Sequence, residues 1–456
     1  MIRLRTGILV LLAAVLIIGC RKGDGFLPED LPQDPAYSIR INGIGLAARD
    51  SSDLVWCLPY GTDLSCCEVD HGGRKDTLDL TLPRSVDDYR ICCVASNLPV
   101  MILFTADRRN VASKTVWKDL SSVFVRDTSG KVVQLGKAII KGRGNSTWGY
   151  PKKPYALKLE NGGEILGMPS ERRWDLLANW MDRTNLRNDV SLEIARRTSL
   201  SWTPRCRFVE LVLNGRHTGL YNIVEHIKID RNRVNIGEGG FIVEFDTNFD
   251  EKYNFRTTSL QFPVMVKDPD DERLSKEAFT AIKRYINNAE AAIQSGDRAY
   301  SWIDYESFAD YFIVNELAHN GEMVHPKSTY AYRDSTGLLY AGPAWDFDWG
   351  TYTSTSAGSW VNKNNFWYRY LFNDRTFTNT LKRRWAILRD TLSTIPAYID
   401  ARASQIQASE AADHAMWPIS QNVNGDEKMG FQQAVRKMSN AYRYRYQSLE
   451  NKIAQL

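Results

Sequence analysis

The stretch Gly342-Pro-Ala-Trp-Asp-Phe-Asp-Trp-Gly350 places two carboxylates, Asp346 and Asp348, one residue apart among three large aromatics. Aromatic side chains favour the interior and carboxylates do not. If the stretch is extended, alternate side chains point to opposite faces. Trp345, Phe347 and Trp349 then pack on the core while both aspartates look into a cleft. Two converging carboxylates raise each other's pKa unless a cation compensates. A hard divalent ion, Mg2+ or Mn2+, does this with oxygen ligands, and Mg2+ typically takes one or two carboxylates plus phosphate oxygens. Two solvated loop aspartates beside a core tryptophan give the same bare pattern. An EF-hand fits poorly, because Thr351 and Ala357 stand where the loop needs Gly and Glu.

Three further constellations bear on a phosphate substrate. In Lys141-Gly-Arg-Gly144 the two glycines let the backbone approach an anion, and Arg143 adds a planar cationic fork. In the alternating segment Tyr155–Glu160, Lys158 shares a face with Ala156 and Glu160, opposite Tyr155, Leu157 and Leu159. A strand lysine aimed into a cleft could hold α- and β-phosphates; a solvated strand face looks the same. Glu225 lies in an otherwise apolar strand and needs a partner if buried, with Lys158 as a candidate and an edge position facing water as the alternative. Glu322 follows a helix that ends near Asn320-Gly321 and is placed to act as a base beside the aspartates. The order of parts is Gly-rich loop, strand Lys, strand Glu, loop carboxylate and Asp-Phe-Asp. It is the order of a protein kinase, although the usual His-Arg-Asp and Asp-Phe-Gly signatures are missing.

The elements that must position these groups divide along the chain. Residues 36–97 read as short strands and turns, a small all-β sandwich-like module without acid–base chemistry. From Leu98 the strands continue as a meander, with a hairpin at Asn214-Gly215. A helix is expected around Leu186, Val190 and Ile194, with Asp182 as its N-cap. After Asp268 the pattern is mostly helical: 275–295, 304–318, 376–395 and 429–456. The fold class is α+β, with a β-rich part preceding an α-rich part.

The first 20 residues read as a signal segment. Arg3 and Arg5 precede the apolar run Ile8–Ile18, which is too short to span a bilayer. Gly19-Cys20 closes it as in a bacterial lipoprotein signal, so Cys20 is expected to carry the lipid. Residues 21–35 form a Gly/Pro-rich tether. This places the protein in the bacterial cell envelope outside the cytoplasm, at the outer membrane in a Gram-negative cell. With 58 basic and 54 acidic residues the net charge is +4, which argues against a nucleic-acid partner. Of the six remaining cysteines, Cys57, Cys66, Cys67, Cys92 and Cys93 cluster, and some could pair in an oxidising compartment.

From about Leu98 to the C-terminus the chain resembles the CotH family of secreted, spore-coat-type atypical kinases. The resemblance rests on IKGRGNSTWGYPKKPYALKL, WDLLANWMDRTNLRND, NGRHTGLYNIVEHIKIDRNRV, GGFIVEFD, DYFIVNEL and GPAWDFDWG, in that order. It implies a kinase-like two-lobe domain over 98–456, ATP as phosphate donor with Mg2+ or Mn2+, and transfer to serine or threonine of an extracytoplasmic protein. It implies Lys158 as the nucleotide-binding lysine and Asp346 as the metal-binding aspartate, with Asp348 taken as a second ligand. Glu322 stands where family members carry Asp. Arg143 and Glu225 are assigned to nucleotide binding from local chemistry alone. ATP is scarce outside the cytoplasm, so a catalytically weak nucleotide-binding or adhesion protein is the alternative. A metal-dependent glycosyltransferase would explain Asp346 and Asp348, and Lys158 less well.

Overall fold

The computed structural model describes residues 34–237, 239–334 and 337–456. The signal segment, Cys20 and nearly all of the 21–35 tether lie outside them. The fold is α+β, with a closed β-barrel, several smaller sheets and seven helices among the described residues.

Asn214 and Gly215 both adopt positive φ, 52° and 65°, as a two-residue hairpin turn requires. They join strands Cys206–Leu213 and Arg216–Glu225. That hairpin is one side of the barrel. Around the ring run Lys118–Arg126, Ala138–Gly142, Tyr155–Ile165, Met168–Leu177, Arg216–Glu225, Cys206–Leu213 and Val100–Thr105, which pairs back onto Lys118–Arg126. All neighbours are antiparallel except Cys206–Leu213 with Val100–Thr105, where Glu210 lies opposite Val100. The interior is filled by Leu103, Ile140, Leu157, Leu159, Trp174, Leu176, Tyr221 and Ile223. Strand alternation then puts Lys141, Ala156, Lys158, Arg173 and Asp175 on the outer wall.

Residues 36–97 form a three-stranded and a four-stranded sheet sharing one apolar core, with Ile41, Trp56, Val69 and Ile91 inside. The other face of the four-stranded sheet packs on the barrel through Val55, Cys57, Val94, Ile102 and Phe104. Arg108 clasps this contact by ion pairs to Asp50 at 2.7 Å and Asp53 at 3.2 Å. Cys57, Cys66, Cys67, Cys92, Cys93 and Cys206 are all free thiols.

Beyond the barrel a five-stranded sheet is ordered Asn254–Arg256, Pro263–Asp268, Phe241–Phe245, Thr329–Arg333, Leu339–Ala341. The helices are α1 Arg187–Arg196, α2 Lys276–Ser295, α3 Tyr305–Ala318, α4 Tyr368–Leu371, α5 Arg375–Leu392, α6 Ile395–Met416 and α7 Phe431–Ile453. Buried almost all round, α3 is the centre of the helical core, packed by α5 and α7. Its start is capped by Asp304, which accepts the Ser307 N–H at 2.7 Å.

Two local expectations change. Asp182 is not the N-cap of α1; Leu186 holds that position. Asp182 instead accepts the Arg187 N–H at 2.8 Å from five residues upstream and is ion-paired with the Arg187 side chain. Helix α6 was not foreseen, because its apolar residues form no clear stripe and Pro396 reads as a break although it sits in the first turn.

Candidate active site

The Asp-Phe-Asp segment is not a strand. It follows Leu339–Ala341 as an irregular loop, and Asp346 takes a left-handed backbone, φ 66°. Aspartate and asparagine tolerate that region better than other non-glycine residues. The loop therefore turns at Asp346, and simple alternation fails. Trp345 and Phe347 are buried as expected, whereas Trp349 is 48% exposed. Asp346 is exposed and Asp348 half-buried. Neither carboxylate makes an ion pair among the described residues. The Ser328 hydroxyl donates to Asp346 Oδ2 at 3.0 Å, and the Ser328 N–H donates to Asp246 at 3.2 Å. Ser328 thus ties Asp346 to Asp246, at the end of the Phe241–Phe245 strand.

Glu322 stands in a one-turn 3-10 segment just after α3, whose last turn ends at His319 in a left-handed conformation. Burial pushes its carboxyl up to about 7, with the charges of Asp346 and Asp246 adding and Lys327 opposing. Burial likewise raises Asp348, followed by the charges of Asp346 and Asp182. Burial raises Asp246 as well. The structure therefore brings Glu322, Asp346 and Asp348 into one electrostatic neighbourhood. Asp246 joins them, a residue the sequence reading passed over in GGFIVEFD. Among the described residues, no group of three or more His, Cys, Asp or Glu side chains is converged on a metal position.

The outer wall of the barrel faces this loop. Arg143 bonds Asp175 Oδ1 at 3.1 Å and lies over the Trp345 ring at 5.4 Å, bridging barrel and loop. Asp175 also holds His226 Nδ1 at 2.8 Å. Burial opposes its charge, yet Arg143 and then His226 keep its carboxyl well below the usual range. Alternation in RRWDLL, with Trp174 and Leu176 inward, was the signal that could have revealed Asp175. Across the gap Asn145 donates to Asp250 at 3.1 Å. Lys158 lies on the same wall between Ile139 and Arg173 in register, with no ion pair among the described residues. Lys141 is on that wall too, over the Trp117 ring at 4.8 Å.

The glycines do different work from that expected. A Cβ on Gly142 would fall 2.2 Å from the Trp148 ring, and one on Gly144 2.0 Å from Thr147 Oγ1. The close approach they permit is to the loop's own side chains.

Glu225 is a correction. Its side chain points into the barrel, in register with Trp174, while Lys158 points out, so the two do not pair. Its partners are Arg233 at 2.8 Å, which covers the Trp174 ring, and Arg205 at 2.9 Å. Glu225 and Arg233 are fully buried, and Arg205 reaches them from a partly exposed position. Elsewhere, a cavity of about 440 Å3 lies between the 36–97 sheets, the barrel and α6. Its acidic group, Glu210, is already bonded to His217 at 2.8 Å and Ser96 at 3.2 Å.

A family model described as CotH kinase protein matches residues 140–449. That span holds every group just described from Lys141 onward, and leaves out the 36–97 sheets and the first barrel strands. No curated protein matches the chain.

Proposed function

The chain belongs to the CotH kinase protein family, and from that premise we propose that it is an anchored extracytoplasmic protein kinase. It would transfer phosphate from ATP to serine or threonine of an envelope or secreted protein. In this reading the barrel serves as the β-rich lobe and α2–α7 build the α-rich lobe. The observation that carries the reading is the pair Asp346 and Asp348, without ion pairs, set beside Glu322 and opposite the basic wall that bears Lys158. An unpaired acidic pair of this kind fits a divalent cation that keeps phosphate oxygens among its ligands. When bound, such an ion offsets negative charge on the transferring phosphate.

The chain's own residues then take definite parts. Lys158 and Lys141 supply positive charge for the nucleotide's phosphates. Arg143 is occupied by Asp175 and Trp345, so it holds the wall against the loop and polarises the gap. Asp346 and Asp348 present carboxylate oxygens. Glu322, with a carboxyl titrating near neutrality, accepts the proton of the acceptor hydroxyl. Glu225 is removed from nucleotide binding by its burial with Arg233 and Arg205. Anchoring through Cys20 remains part of the proposal. Among the described residues no helix is long and apolar enough to cross a membrane.

The test is transfer of labelled γ-phosphate by the mature protein, to itself and to serine and threonine peptides, with Mg2+ and with Mn2+. Metal-dependent transfer supports the reading. ATP binding without transfer favours the catalytically weak alternative. Metal-dependent binding of a nucleotide sugar in place of ATP favours a glycosyltransferase.

A further inference from the structure

Asp348 is held in an unusual way. The linker between α6 and α7, residues 417–430, carries Asn424, which is 1% exposed. Its side-chain amide donates to the Asp348 carbonyl at 3.0 Å and to the Met181 carbonyl at 3.0 Å. Its Oδ1 accepts the Gly350 N–H at 2.8 Å. Both amide protons and the amide oxygen are thus committed. One short side chain brackets the backbone on either side of Trp349, donating to the carbonyl at one end and accepting an N–H at the other. An aspartate cannot make the two donations, and an alanine makes none.

Asn424 is itself clamped. Its N–H goes to Glu427 Oε1 at 2.5 Å, and its carbonyl accepts Lys437 Nζ at 2.8 Å from α7. Two residues on, Asp426 is ion-paired with the fully buried Arg187, whose Nε reaches the Thr351 carbonyl at 3.3 Å. On the other side of the loop, Asn188 Oδ1 accepts the Phe347 N–H at 2.8 Å. The backbone from Phe347 to Thr351 is therefore fixed at four points by side chains from α1 and the α6–α7 linker. The Asp346 carboxylate, by contrast, is held among the described residues by the Ser328 hydroxyl alone.

We propose that Asn424 is a positioning residue for the Asp348 carboxylate, so that the α6–α7 linker sets the divalent-metal affinity of the site. The inference rests on the kinase reading, in which Asp348 is a metal ligand. Groups that orient metal ligands typically change affinity by about 10–100-fold when removed. Asn424→Ala in the mature protein is expected to raise the half-saturating Mn2+ concentration by roughly that factor. The measurement is direct titration of Mn2+ by its electron-spin resonance, with ATP present. A purely structural role would lower the melting temperature of the ligand-free protein and leave Mn2+ half-saturation of the folded fraction unchanged, and that result overturns the proposal. Lys437→Met removes the grip on the Asn424 carbonyl without touching the loop. It should shift Mn2+ half-saturation in the same direction by less. If Asn424→Ala does not fold, an unchanged value in Lys437→Met overturns the proposal alone. Wild-type protein that binds no Mn2+ with ATP would instead reject the kinase reading itself, and the positioning role with it.

Discussion

Replacing Glu322 by glutamine keeps shape and hydrogen bonding and removes one charge from a crowded acidic corner. Burial, then Asp346, raise the Glu322 carboxyl from the ordinary 4.5 to about 7. In the folded state the proton is held more tightly than in the unfolded chain. The contribution to stability is therefore fully present below about pH 4.5 and is lost as pH rises through 7. At about 1.4 kcal/mol per pH unit, the gap corresponds to a ceiling of about 3 kcal/mol. Solvent reaching this half-buried group reduces the cost at pH 8 to about 1–2 kcal/mol. Glu322→Gln escapes that cost, so the variant should exceed wild type by about 1–2 °C in melting temperature at pH 8 without metal. The advantage should shrink steadily towards pH 5. Scanning calorimetry at intervals from pH 5 to 8 in a chelating buffer reads this difference. A constant difference across the range, or a destabilised variant at pH 8, would refute the reasoning. If Glu322 is also the base, the same variant binds ATP and fails to transfer.

Asp346→Asn should fold normally, because asparagine tolerates the left-handed backbone at φ 66°. It should lose the metal-dependent rise in melting temperature caused by ATP, and a rise equal to wild type would sink the metal assignment. Lys158→Met removes a side chain without an ion pair, so the ligand-free melting temperature should stay put while the ATP-induced rise shrinks. An undiminished rise counts against its phosphate role. Glu225→Gln leaves Arg233 buried with its charge uncompensated, so urea unfolding should show a loss of about 3–5 kcal/mol. A stable variant with weakened ATP binding would return Glu225 to the site. Cys20→Ser should move the protein from the membrane to the soluble fraction on cell fractionation, and a variant that stays membrane-bound would reject the lipid anchor.

What could be read in the chain beforehand was local. Two-residue periodicity placed Lys158 on the face opposite Leu157 and Leu159, and the Asn214-Gly215 pair announced its turn by backbone preference. Helix α2 carries an apolar stripe and α3 a largely apolar run, each behind a capping residue, Ser275 and Asp304. What could not be read depended on partners distant in sequence or on special backbone angles. Strand alternation places Asp346 and Asp348 on one face, because nothing local signals a left-handed residue between Trp345 and Phe347. Glu225 meets Arg233 and Arg205 and not the candidate Lys158, since the inward or outward facing of two strands decides which basic group it reaches. Asn424 sits in a polar linker, SQNVNGDEKMG, where asparagine ordinarily reads as turn chemistry. Only its contacts with Met181, Asp348 and Gly350 show otherwise.

The single parallel seam of the barrel has a kinetic consequence. Val100–Thr105 is buried along its whole length and is closed on one side by Cys206–Leu213. Until the chain has been made through that later strand, the earlier one presents an apolar edge with unpaired backbone groups, the kind that templates aggregation. Closure also waits on a contact of high sequence separation, which slows folding. The Asn214-Gly215 turn brings both strands of the closing hairpin in as one unit. Replacing that turn with residues that resist positive φ should therefore delay refolding and increase aggregation while leaving the finished molecule's ligand chemistry intact.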